Sequence, residues 1–229
     1  MKRTLVALAL AAGLVPFAQA TTTVSASNGT LHTTAGLTGF QTDGNEMGGM
    51  QITAAFGGLS PYSETATWAA GIGNCGSAAG TGWSVAMCGD TFSSLWTLTT
   101  SLAAPLNFLQ FDGQPGRTVF DRTLPSPGTP GSASGSDFSD TSTLLLAAAY
   151  TDILAVAGDP ASPYGDLYTR VNVTIQGGLS GATAPASIQF TMDTDTATSR
   201  IDEVPEPASL ALVGLGLVGL VGARRAEKA

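Results

Sequence analysis

Histidine occurs once in the 229 residues, at His32, cysteine occurs twice, and no lysine stands between Lys2 and Lys228. One imidazole and two thiols leave little material for a metal centre or a nucleophile with its base, and most such constellations are excluded. Charge is scarce too: Asp, Glu, Lys and Arg make up 11% of the chain, where cytosolic domains carry about 25%. What fills the chain instead is threonine (30), glycine (29) and serine (20), with 12 prolines and 43% hydrophobic residues. Such a mixture suits a loop-rich exported β protein, and the length allows one core of useful size.

The two ends read as addresses. Residues 1–20 have the form of a secretory signal peptide: Lys2 and Arg3, an apolar run over 5–14, and the small-x-small site Ala18-Gln19-Ala20. Ten apolar residues make a helix of about 15 Å, half a bilayer core, so this segment is expected to be cut away, leaving Thr21 first. Near the other end, residues 208–223 are uncharged and apolar, followed at once by Arg224 and Arg225. As a transmembrane helix they would reach about 24 Å, with the arginines holding that end on the cytoplasmic side. Val204-Pro205-Glu206-Pro207 precedes them. Two prolines one residue apart cannot enter a helix interior or a central strand, so this stretch is expected to stand extended at the membrane surface.

Val204, Pro205, Glu206 and Pro207, the apolar helix, and the Arg224-Arg225 ending together resemble the PEP-CTERM sorting signal of Gram-negative bacteria, whose tail is also labelled an ice-binding protein C-terminal region. The resemblance covers residues 204–229. It implies recognition by an exosortase, a membrane-embedded cysteine protease of transpeptidase type, with cleavage near Pro-Glu-Pro. It also implies a link to exopolysaccharide and biofilm matrix. Export would begin at the secretory translocon, pass through a precursor anchored in the inner membrane, and end at the cell surface or outside the cell.

Between the signals, residues 21–206 hold four arginines against sixteen carboxylates, a net charge of −12. That surface repels nucleic acid and anionic lipid and keeps the protein soluble. Alternation of apolar and polar residues marks short strands: 50–56, 64–69, 82–87, 95–101, 106–112, 118–121, 167–176 and 188–192. The Ala-rich 142–157 reads as a strand rather than a helix because of Tyr150, Thr151 and Ile153. The glycine-rich segment after 176 predicts a hairpin joining 167–176 to 188–192. The expected fold class is all-β, a single antiparallel, jelly-roll-like sandwich over 21–203. Residues 123–136, with three prolines, three glycines and four serines, must be a loop. Short pieces such as Gly89-Asp90-Thr91, Thr118-Val119-Phe120-Asp121 and Gly165-Asp166-Leu167-Tyr168 resemble a group of proteins without assigned activity that carry this tail, which implies an all-β body and nothing more.

Candidate chemistry is thin. Cys75 and Cys88 in an exported chain are expected to form a disulfide. His32 is expected on the surface or an edge strand. Asp112, Asp121, Asp152 and Asp166 could supply a glycosidase pair, though solvated turn carboxylates are the simpler expectation. Asp193 and Asp195 alternate on one face of an extended segment and are the candidate calcium ligands, with Asp159, Asp166 or Asp202 to complete a shell. Thr194, Thr196 and Thr198 alternate as on an ice-binding face, which β-propensity also explains. Trp68, Trp83 and Trp96 fall in predicted strands and belong in a core rather than a sugar site. The expectation is a non-enzymatic surface or matrix protein without cofactor, possible polysaccharide contact included. The alternatives are a secreted polysaccharide hydrolase using paired aspartates and a calcium-dependent adhesin.

Overall fold

A computed structural model describes residues 22–38, 41–123, 129, 132, 135–142, 144–159, 165–182 and 186–204. The expected signal segment 1–20 and the apolar segment 208–223 lie outside the described residues, as do Pro205, Glu206, Pro207, Arg224 and Arg225. The described chain forms sixteen strands, one 3-10 turn at Gln114–Gly116, and no α-helix. In order they are β1 (Thr23–Ala26), β2 (His32–Thr34), β3 (Gln51–Phe56), β4 (Tyr62–Thr67), β5 (Ala69–Ala70), β6 (Cys75–Gly80), β7 (Trp83–Cys88) and β8 (Trp96–Thr100). They continue with β9 (Leu106–Asp112), β10 (Thr118–Asp121), β11 (Ser139–Asp140), β12 (Leu146–Val156), β13 (Leu167–Leu179), β14 (Ala186–Thr191), β15 (Asp193–Thr196) and β16 (Asp202–Glu203).

Two sheets make a sandwich. The larger runs β16-β2-β12-β13-β9-β3-β4, with β1 beside β12, β10 beside β13, and β15 on the other side of β10. The smaller runs β11-β14-β8-β7-β6-β5. Pairing is antiparallel except where β1 and β2 lie parallel to β12, one after the other along its length. The strands β3, β7, β8 and the first half of β12 were legible for the same reason: one parity is buried. In β7, Trp83, Val85 and Met87 face inward while Ser84 and Ala86 do not. In β12, Leu146, Ala148 and Tyr150 face inward on a period of two, which a helix cannot produce.

The expected hairpin between 167–176 and 188–192 does not form. β13 continues through Gly177 and Gly178, both at positive φ, to Leu179, pairing with β12 and β9 in the larger sheet. β14 lies in the smaller sheet between β8 and β11. Glycine here lets the strand bulge and run on instead of turning back. By Ala186, where β14 begins, the chain is in the opposite layer.

Aromatic rings fill the centre. Trp96 stacks on Phe190 at 6.0 Å and meets Phe111 edge-on at 5.9 Å, and Phe138 stacks on Phe190 at 5.0 Å. Trp68, Trp83 and Trp96 are all buried, as expected. Their indole N–H groups donate to Gly44 O, Glu64 Oε2 and Met192 O, so none is left unpaired in the interior. A smaller cluster of Val119, Leu154, Val156, Leu167, Ala197 and Ile201 closes one end of the larger sheet. Cys75 and Cys88 are direct partners across the β6–β7 hairpin and are joined by a disulfide.

Candidate functional site: a sorting edge and a buried carboxylate cluster

The chain leaves the body along one sheet edge. Among the described residues Ile201 is the last in the core, fully buried in the smaller cluster, and Gln114 Nε2 donates to its carbonyl at 3.2 Å. β16 then pairs with β2, Asp202 opposite Thr33 and Glu203 opposite His32. Val204 N donates to Leu31 O at 3.0 Å. Both β16 side chains are exposed, and the Arg200–Asp202 ion pair at 3.3 Å is exposed as well, so it holds the edge weakly. Beside this edge, Arg117 and Arg200 line a cleft of about 510 Å³ with Gln114, Pro115 and Ile201. His32 is not on the surface: it is 5% exposed, and β2 is flanked by β12 and β16.

Residues 203–226 match the PEP-CTERM protein-sorting motif. The chain carries that signal. The match begins at Glu203, so the sorting motif overlaps the sheet by its first residue. No curated protein and no solved structure matches the chain. The motif means that this is an exported protein sorted and processed by an exosortase, anchored first in the membrane and then carried at the surface. Among the described residues no helix is long and apolar enough to cross a membrane.

A second concentration of chemistry sits beside Thr129 and Ser132, which follow β10. In the β10–β15 ladder Asp121 stands opposite Asp193 and Val119 opposite Asp195, which places three carboxylates on one face. Asp166 enters from the residue before β13. All four are buried, with Asp121 only 2% exposed. Ser132 Oγ donates to Asp121 Oδ2 at 2.5 Å, and Thr129 donates from both N and Oγ1 to Asp166. Thr91 Oγ1 and Thr194 N donate to Asp193 Oδ1. Among the described residues Asp121 Oδ1 and Asp195 Oδ2 have no hydrogen-bond partner. Burial pushes Asp121 up to about 8, against the Ser132 hydrogen bond and with help from the charges of Asp195, Asp166 and Asp193. Burial likewise lifts Asp193 to about 7 and Asp195 to about 6.

Spacing rightly put Asp193 and Asp195 on one face, but that face is interior. Of the companions proposed for calcium, Asp166 joins the cluster, whereas Asp202 lies exposed on the sorting edge. Among the described residues no group of three or more His, Cys, Asp or Glu side chains is arranged to hold a metal. The glycosidase candidates split: Asp121 and Asp166 are in the buried cluster, while Asp112 and Asp152 both bind Arg170, at 3.2 and 2.6 Å. The threonine row is used internally. Thr194 is buried, Thr196 Oγ1 meets Thr42 Oγ1 at 3.2 Å, and Thr198 Oγ1 donates to Gly36 O.

Proposed function

We propose that the protein is a non-enzymatic component of the cell surface or extracellular matrix, released or attached after exosortase cleavage near Pro205 to Pro207. The observation that carries this reading is a sorting motif continuous with a body whose tryptophans and clustered aspartates are committed to its interior. The tryptophans pack the core, the disulfide ties a hairpin, and the clustered aspartates are buried. Contact with acidic polysaccharide would fall to Arg117 and Arg200, the two arginines lining the cleft beside the sorting edge.

Intact mass of protein recovered from membranes and medium tests the processing. The native chain should lose its C-terminal segment, whereas a Pro205→Ala/Pro207→Ala variant should remain full-length in the membrane fraction. Equal release of the two would overturn the reading. Incubation of the purified body with polysaccharides tests the non-enzymatic half: new reducing ends appearing over time would refute it.

A further inference from the structure

The sorting motif and the fold share residues, and this overlap constrains how a protease reaches its substrate. With β16 seated on β2, the ladder runs to the Val204 N–H on Leu31 O, and Pro205 follows immediately. Residues 205–207 can extend at most roughly 10 Å from the folded edge, from the covalent reach of three residues. A protease that grips residues on both sides of a scissile bond would then have to accommodate the sandwich itself. Releasing 202–204 adds about another 10 Å of extended chain.

The fastening has the form of a strap. At its outer end β16 is two residues long, exposed on both side chains, and held by main-chain bonds to β2 with one exposed ion pair. At its inner end Ile201 is fully buried and its carbonyl is engaged by Gln114. Peeling therefore starts easily at Val204 and stops at Ile201, so the releasable length is set by the structure. Short exposed edges of this kind open locally, far below the free energy of global unfolding.

We propose that β16 and Val204 form a releasable strand that the processing protease captures in extended form, and that docking of this strand on β2 gates cleavage. The inference rests on the exosortase reading of the motif. Its test uses the full-length chain expressed with the protease. Thr33 and Asp202 are cross-strand partners, so Thr33→Cys/Asp202→Cys can lock the strap, opposed residues in a ladder lying within disulfide range. When cleavage follows the population of the open form, the oxidised variant should be cut at least about tenfold more slowly than the native chain, and reductant should restore the rate. Inserting six Gly/Ser residues between Val204 and Pro205 should restore cutting even in the locked variant, because the protease then no longer needs the strap. A locked variant cut at the native rate overturns the gating, and so does a locked variant that the linker fails to rescue. A native chain left uncut with the protease present would instead overturn the sorting reading beneath it.

Discussion

Asp121 sits at the end of β10 with a second carboxylate directly opposite, a third two residues further along the facing strand, and one oxygen without a hydrogen-bond partner among the described residues. A buried charge so placed is costly, and the group keeps its proton instead. In the unfolded chain these carboxyls ionise near about pH 4. In the folded body Asp195, Asp193 and Asp121 hold their protons to about 6, 7 and 8. The folded state therefore binds more protons across this window, and stability falls as pH rises from about 4 to about 8; below the unfolded value the contribution is fully present. Urea midpoints should be higher at pH 5 than at pH 8, and Asp121→Asn should flatten the decline, by on the order of a few kcal/mol. A native midpoint unchanged between these pH values would reject the assignment. Spacing alone revealed that Asp193 and Asp195 share a face. It could not reveal that Asp121 and Asp166 join them, because that follows from the β10–β15 pairing across distant sequence. Gly135 belongs to the same arrangement: a Cβ there would come within 2.4 Å of the Asp121 carbonyl carbon, so the chain passes this close to Asp121 only with glycine at that point.

Among the elements, the bond that ties β6 to β7 was legible, since two cysteines close in an exported chain have few other uses, although of the two strands only 82–87 was expected. The disulfide closes a loop over a sequence separation of 13. Holding the unfolded chain together there contributes about 3 kcal/mol. Reduction, or Cys75→Ser/Cys88→Ser, should lower the melting temperature by roughly 6–12 °C at 2–4 °C per kcal/mol for a chain of this size. A melting curve that ignores reductant would show the staple to be without weight. β13 and β14 mark where local reading failed. Leu167, Val171, Val173 and Ile175 on one strand, and Ile188 and Phe190 on the other, all face the interior. Alternation shows that a strand has a buried face, not which layer it belongs to. Both strands press on the same core from opposite sides, and the glycines between them read as a turn when they serve a bulge.

At the scale of the molecule, composition and alternation together pointed to the all-β sandwich that the two sheets form. With four arginines against sixteen carboxylates between residues 21 and 206, self-repulsion opposes compaction and is screened by salt. Raising NaCl from about 20 to 500 mM at pH 7 should therefore stabilise the body by on the order of 1 kcal/mol; a loss of stability over that range would count against a repulsive surface. The order of strands across the larger sheet was not legible, and neither were the parallel partners of β12, because both depend on pairing between segments far apart in sequence. One such pairing, β16 on β2, sets where the chain leaves the body. β16 and β4 are the opposite margins of the same sheet, six strand spacings or roughly 29 Å apart. The β4 margin, with the fully exposed Leu59 at the β3–β4 bend, is therefore the flank of the larger sheet that lies farthest from the edge where the sorting motif begins.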